Sequence, residues 1–389
     1  MNVLFYLSRY PGFGGIEKVT TILANAFVKA GYCVYIVSKI QKNKELLAEL
    51  DNKVKLFPLP NKYLLADENQ TFLINEIYKK KIGVIIHQHS YDPIHELIVA
   101  IKDKINCRVF TAEHNTPDAQ IKMYSNSLLE NKYINNWKFN LQKLFYPLFI
   151  AKCRFRERRR HRYLYRHSDR YILLSERFVS VFKQVTNLKD CQKLAWIPNP
   201  ISLPALEESV LMKKEKIILY VGRIDKSHKR VDRLISIFEK LYKDFPDWKL
   251  IIVGDGPFRN ELERYVNNKG IERVFFEGFQ SNVVDYYKKA SILCLTSNIE
   301  GWGMVLVEAM QYGVIPFSFD SYKSVHDIID DNKNGFIIPS FDEEKYIHQL
   351  KLTMSDSKLR ENLSSNAKTK VVKFCDKNII AKWIELINQ

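Results

Sequence analysis

A chain of 389 residues, 46% of them hydrophobic, is too long for one ordinary core and too apolar to be disordered, so two domains are expected. Six scattered cysteines (Cys33, Cys107, Cys153, Cys191, Cys294 and Cys375), with no C-x-x-C pair, argue against a disulfide scaffold or a zinc site and fit a reducing cytoplasm. The formal charge of +16 calls for an anionic partner, whether nucleic acid, anionic lipid or phosphorylated substrate.

Taken from the start, Met1–Leu7 has no basic residues before its apolar run and is followed by Pro11-Gly12, so it reads as a strand rather than a leader. The apolar run from Leu144 to Ala151 is too short to cross a bilayer. Further strands are expected at Cys33–Val37, Val84–His87, Arg108–Thr111 and Tyr171–Leu174, with a helix from Ile16 to Lys29 closing at Gly31. Nearly all-apolar strands alternating with helices imply a parallel, doubly wound sheet. Ile197-Pro198-Asn199-Pro200, Pro204 and the charged run Lys213–Lys216 read as a linker. A second series comes after it: Ile217–Val221, Leu250–Val253, Val274–Phe276, Ile292–Thr296, Val314–Phe317 and Phe336–Ile338. Between its first two strands, Val231, Leu234, Ile235, Phe238 and Leu241 recur at helical spacing. Asp376–Gln389 reads as an amphipathic helix with Ile380, Trp383, Ile384 and Ile387 on one face. The expected domains are therefore residues 1–200 and 201–375, with a terminal helix at 376–389.

The most informative stretch is Glu300-Gly301-Trp302-Gly303-Met304-Val305-Leu306-Val307-Glu308. It lies between a buried-strand pattern and a helix pattern that closes at Gly313, so the helix should begin near Gly303 or Met304. Free amides at that end favour an anion. Glu300 and Glu308 can then look into one pocket beside it. Carboxylates repel phosphate and suit hydroxyls, so a ligand carrying both, such as a nucleotide sugar, fits.

Glu300-x7-Glu308 followed by Ala309 resembles the E-x7-E signature of the retaining glycosyltransferases of family 4. The resemblance covers nearly the whole chain and is strongest from about Val221 to Gly335. It implies the GT-B fold: two Rossmann-like, doubly wound parallel-sheet domains facing a cleft. Residues 1–200 would be the acceptor side, 201–375 would bind the nucleotide sugar, and the terminal helix would cross back to the first domain. Arg223 and Lys229, past the strand ending at Val221, would hold the donor diphosphate and stabilise the leaving group. Gly14-Gly15 would bring backbone to that diphosphate from the first domain. His114, in Glu113-His114-Asn115, would stand near the donor sugar, and His87 and His89 could also line the cleft. Gly303, Met304, Val305 and Glu308 complete the donor set, with Glu300 on sugar hydroxyls and catalytic together with His114, Arg223 and Lys229. Glu17 and Arg230 read as helix residues, and His228 is open.

No Asp-x-Asp occurs, and cations can take the role of a divalent ion, so neither metal nor cofactor is expected. Arg154, Arg156, Arg158, Arg159, Arg160, Arg162, Arg166 and Arg170 come closely after Trp137, Phe139, Leu144, Phe145, Tyr146, Leu148 and Phe149. Aromatic and basic residues together suit an anionic membrane surface, a solvated helix face being the plainer reading. No nucleic-acid motif accompanies them. The expected activity is retaining, metal-independent transfer of a hexose or N-acetylhexosamine from a nucleoside-diphosphate sugar, UDP before GDP, to a saccharide acceptor expected to be lipid-linked. The setting would be cell-surface glycan synthesis at the cytoplasmic face of the membrane. The rivals are a GT-B-like sugar-nucleotide epimerase and a non-catalytic basic binding protein.

Overall fold

The computed structural model describes residues 1–89, 93–130, 137–201, 203 and 213–389, without the side chains at 89, 126–130 and 137–143. The chain divides into two compact units. One comprises residues 1–118, 151–202 and 374–389; the other comprises 119–150 and 203–373.

The first unit holds a seven-stranded parallel sheet in the order β3-β2-β1-β4-β5-β6-β7. Its strands are β1 (Asn2–Arg9), β2 (Cys33–Ile40), β3 (Lys55–Pro58), β4 (Ile82–His89), β5 (Arg108–Glu113), β6 (Arg170–Leu173) and β7 (Leu194–Trp196). The central strands carry continuous apolar runs because helices cover both faces, and Val3 to Leu7 are all buried. β3 and β7 were not anticipated. They are short edge strands, half-exposed, and so lack the apolar run that betrays a central strand. The Asp376–Asn388 helix belongs to this unit and packs on the Gly15–Lys29 helix, and Arg108 bonds the Ile387 carbonyl at its end. Its buried face is Ile379, Trp383, Leu386 and Ile387. Ile380 and Ile384 lie one position round and are only half-buried.

The second unit holds a six-stranded parallel sheet in the order β10-β9-β8-β11-β12-β13. Its strands are β8 (Ile217–Val221), β9 (Lys249–Val253), β10 (Val274–Gly278), β11 (Ile292–Leu295), β12 (Ile315–Phe319) and β13 (Phe336–Ile338). The Val231–Glu239 helix buries Val231, Leu234, Ile235 and Phe238, and Leu241 just beyond it is buried too. Of the expected linker, Pro204 lies outside the described residues.

Two features position the loops at the strand ends. In each sheet the strand order reverses, between β1 and β4 in the first and between β8 and β11 in the second. Loops leaving neighbouring strands there turn to opposite faces and leave a crevice at the carboxyl ends. In the second unit the strand ends are also laced together. Gly222 N–H bonds Val253 O at 3.0 Å, Gly254 N–H bonds Gly278 O at 2.7 Å, and Ile224 N–H bonds Asp255 O at 2.9 Å. This lacing needs glycine at 254: its φ is +137°, and a Cβ there would stand 1.9 Å from Gly222 O.

Gly254→Ala should therefore cost on the order of 3 kcal/mol or more in urea unfolding, since backbone must move. Gly270→Ala, also at positive φ but with nothing within 4 Å of the added Cβ, should cost only about 1 kcal/mol. Equal losses would show that the close approach at Gly254 is not what matters.

Candidate active site

At the switch point of the second unit, two loops lie side by side. One runs from Gly222 to Arg230 after β8, the other from Thr296 to Gly303 after β11. Three contacts tie them. Asn298 N–H bonds His228 O at 2.7 Å, Asn298 Nδ2 bonds Ser227 O at 3.0 Å, and Thr296 Oγ1 bonds Arg230 O at 2.8 Å. Arg233 from the following helix bonds Asn298 Oδ1 at 2.6 Å, holding the amide in place.

The tie brings two of the expected residues together, though they are distant in sequence. Lys229 Nζ lies 2.6 Å from Glu300 Oε1, and Ser297 Oγ donates to the same oxygen at 2.7 Å. Glu300 is largely enclosed, with 11% of its side chain accessible, and Lys229 is about a quarter exposed. Shelter from water strengthens the attraction within this pair, and the cost of desolvating both charges offsets much of that gain. Tyr220 and Tyr322 are buried nearby, and burial first, then the negative charge of Glu300, pushes both phenols well above their usual range.

Arg223 sits on the same loop, with 62% of its side chain exposed, and its Nε donates to Asp225 Oδ2 at 2.8 Å. Asp225 was not singled out in the sequence, where one acid in a basic loop carries no pattern. Its other oxygen accepts the backbone N–H of His228 at 2.6 Å and of Lys229 at 3.3 Å. One buried carboxylate thus ties the guanidinium of Arg223 to the backbone that presents Lys229. Burial pushes the Asp225 carboxyl up, but bonds from His228 and the charge of Arg223 outweigh it and hold the group well below the usual carboxylate range. His228 bonds Ser227 at 2.8 Å, and Arg230 opens the next helix paired with Asp232 at 2.8 Å.

The Met304–Gln311 helix starts at the expected place, with Gly303 as its N-cap at φ 84°. A Cβ at 303 would stand 2.9 Å from the Tyr322 hydroxyl. Leu306 N–H bonds Gly303 O, while the amides of Met304 and Val305 precede any helical carbonyl they could bond. No side chain caps this end. Glu308 lies one turn in, buried, and accepts the Tyr287 hydroxyl at 2.9 Å. Tyr287 is wholly buried and stacks on Tyr312 at 6.0 Å, a support invisible in sequence because Tyr287 reads simply as core. Chemically, this unit offers two cations, two amides at a helix start, and the carboxylates of Asp225, Glu300 and Glu308 at one sheet end.

In the first unit, Gly14 caps and Gly15 opens the first helix, at the end of β1. The Glu17 carboxylate folds back over the turn, so that a Cβ at Gly14 would lie 2.2 Å from its Oε2. His114 comes just after β5, half-buried and bonded to Gln88. Burial pushes its imidazole down to about 4, which favours the neutral ring. His87 does not line an open surface. It is buried beside the Tyr6 and His95 rings, because an inward position of a central strand places it there. The His89 side chain lies outside the described residues.

The loop carrying His114 has an anchor that sequence reading missed. Glu113, buried at the end of β5, accepts the Tyr171 hydroxyl at 3.1 Å and the Asn115 N–H at 3.3 Å. His161 lies 2.9 Å from both the Tyr171 hydroxyl and the Pro117 carbonyl. Burial pushes Glu113 up to about 7 and His161 down to about 3.

Comparison with known proteins identifies the family and the fold. Residues 205–370 match the glycosyl transferases group 1 family, and residues 13–203 match glycosyltransferase family 4. A Campylobacter jejuni relative is 35% identical over 382 residues, covering 96% of this chain and 95% of its own. It is an alpha-1,4-N-acetyl-D-galactosaminyltransferase whose named substrate is a diphospho-undecaprenol-linked saccharide. An uncharacterized Haemophilus influenzae glycosyltransferase is 26% identical over 383 residues, covering 97% of this chain and 98% of its own. Among solved structures, TarM superposes with a TM-score of 0.75 at 14% identity, covering 100% of this chain and 99% of its own. Anabaena HepE, solved with UDP and glucose, superposes at 0.73 and 17% identity over the whole of both chains. These structures establish the GT-B fold.

The Asp225 arrangement makes a specific expectation. Asp225→Asn keeps an acceptor for the backbone but removes the charge that pairs with Arg223, so stability at pH 7 should fall by about 1 kcal/mol in urea unfolding. Because the folded carboxyl is depressed, its stabilisation is present above the unfolded pKa of about 3.9 and lost as pH falls below it. Below about pH 4 the wild type should therefore lose stability more steeply than Asp225→Asn. Parallel acid-unfolding curves would show that Asp225 does not hold this loop.

Proposed function

We propose that this chain, which belongs to the family 4 glycosyltransferases, moves a hexose or N-acetylhexosamine from a nucleoside-diphosphate sugar to a saccharide acceptor, with retention at the anomeric carbon. The observation that carries this reading is the Lys229–Glu300 contact of 2.6 Å beside the open N-terminus of the Met304–Gln311 helix. Lys229 is paired with the Glu300 carboxylate. A diphosphate draws Lys229 and Arg223 to its oxygens, assisted by the Met304 and Val305 amides. Glu300 is then released to accept hydrogen bonds from the hydroxyls of the transferred sugar, and Glu308 takes the ribose.

As the sugar–phosphate bond breaks, charge develops on the leaving diphosphate, and cations already in place stabilise it without reorganisation. Front-face attack by the acceptor hydroxyl, with the leaving phosphate taking its proton, accounts for retention without a dedicated nucleophile. The diphosphate is held by cations and amides, so the reading calls for no metal and no cofactor. Gly14, Gly15 and His114 keep the roles the resemblance implies, backbone contact to the diphosphate and proximity to the sugar.

UDP is favoured over GDP as the nucleotide, which the UDP-bound HepE structure supports. A lipid-linked saccharide as acceptor is supported by the diphospho-undecaprenol substrate named for the Campylobacter relative. The enzyme would then work at the cytoplasmic face of the cell membrane in surface-glycan synthesis. Among the described residues no helix is long and apolar enough to cross a membrane.

The test is product formation from a panel of UDP- and GDP-sugars with a polyprenyl-diphosphate-linked saccharide, the anomer being assigned by NMR. Retained configuration and strict dependence on acceptor are expected. Conversion of the donor alone into an isomeric nucleotide sugar would instead identify an epimerase. Within this site, Glu308→Gln should weaken binding of the bare nucleoside diphosphate by at least about tenfold, or about 1.4 kcal/mol. Glu300→Gln should leave that binding nearly normal and lower kcat. The opposite pattern would exchange the two roles.

A further inference from the structure

Gln88 occupies a place in the first unit's sheet where a polar side chain has little to gain. It lies on the central strand β4, and Val84 to Gln88 are all buried. Burying an amide costs free energy unless its hydrogen bonds are replaced. Gln88 recovers little of that cost. Its Oε1 bonds His114 Nε2, while its own Nε2, also buried, has no hydrogen-bond partner among the described residues. A methionine would fill much the same space and leave no donor unmet. The glutamine therefore breaks a packing rule for the sake of one contact, and that contact is the histidine beyond β5.

Strand register makes the contact possible. Gln88 pairs with Ala112 on the parallel strand β5, and His114 lies two positions beyond Ala112. Side chains two apart in extended backbone leave on the same face. Alanine carries only a methyl group, so the glutamine reaches past it to the ring. The backbone of the same loop has its own support. Glu113 accepts the Asn115 N–H and the Tyr171 hydroxyl, and His161 lies against both that hydroxyl and the Pro117 carbonyl. Loop and ring are thus held separately.

The contact fixes more than position. An amide oxygen only accepts, so the proton of the shared bond belongs to His114 Nε2. A neutral imidazole with its proton on Nε2 carries a bare lone pair on Nδ1. Among the described residues no hydrogen bond to that Nδ1 is formed. We propose that Gln88 is a positioning residue, which holds His114 as the Nε2–H tautomer and so presents Nδ1 as a hydrogen-bond acceptor. The inference rests on the function proposed above for what the acceptor takes, a hydroxyl of the transferred sugar. A ring protonated on Nδ1 would meet that hydroxyl with a donor instead. The neighbouring titratable groups are occupied elsewhere. His87 is buried against the Tyr6 and His95 rings, where burial pushes it down to about 3, and Glu113 is bonded to Tyr171 and Asn115.

The experiment is proton–nitrogen correlation NMR of the full chain labelled at histidine nitrogens, with His114 identified by its loss in His114→Gln. Kinetics and urea unfolding of Gln88→Met and Gln88→Glu accompany it. The wild type should show one neutral form, protonated on Nε2. Gln88→Met should be at least as stable as the wild type, show both tautomers, and lose at least about fivefold in kcat with KM little changed. Gln88→Glu sets a carboxylate beside the ring and raises its pKa. Its Nδ1 should then gain a proton as pH falls, and its kcat should fall in step and recover as pH rises. The spectra need no substrate, so failure of every transfer assay would count against the function and leave the tautomer to decide this inference. A wild-type ring protonated on Nδ1 would overturn the proposal, as would Gln88→Met with the wild-type tautomer and kcat. A kcat that falls only in proportion to lost folded protein would also overturn it, assigning Gln88 to packing.

Discussion

The reversal of strand order between β8 and β11 is the constraint on which the second unit's chemistry depends. Parallel strands deliver their carboxyl ends to one side of a sheet. Where the winding changes direction, no crossover helix fills the space above those ends. Two loops separated by some seventy residues of sequence are thereby pressed together, and Asn298 and Thr296 bond them directly. The lacing at Gly222 and Gly254 holds one loop at its base, and the start of the Met304–Gln311 helix holds the other. Lys229 and Glu300 meet because backbone geometry leaves them little choice.

Electrostatics then sets how the charged side chains of this loop pair. Two cations on one loop repel one another and lose hydration, so each needs a counter-charge. Asp225 serves Arg223, and Glu300 serves Lys229. The two carboxylates differ in a way that suits different tasks. Asp225 is bound to its own loop through backbone N–H groups and stays with it. Glu300 is held by two side chains, Lys229 and Ser297, either of which can turn to another partner. The first is a fixed support, and the second is an exchangeable one.

How much of the fold and the site was legible in sequence depends on which signals are local. Central strands declared themselves through unbroken apolar runs, and Gly303 marked the helix start because a cap and a turn are written in adjacent residues. Glu300 and Glu308 stood out through their spacing around that turn. Edge strands β3 and β7 did not, since an exposed edge has no apolar run to show. Supports such as Asp225, Tyr287, and Glu113 with Tyr171 and His161 depend on contacts between distant segments, and nothing in their immediate neighbours announces them. The arginine cluster shows the opposite error. Arg158 and Arg162 bond the Val185 and Thr186 carbonyls and Arg160 pairs with buried Glu157, whereas Arg156 and Arg159 are exposed. Residues alike in sequence proved unlike in structure, because a helix turns successive positions inward and outward in turn.

The central claim is that the cations and amides at this sheet end exist to hold a diphosphate. Titration calorimetry of the full protein with uridine, UMP and UDP tests it most directly, since the three ligands differ only in phosphate. The account predicts weak binding of uridine, modest gain with UMP, and a further gain of at least about tenfold with UDP that is lost in Lys229→Ala. Equal affinity for all three, or a UDP affinity indifferent to Lys229, would contradict it.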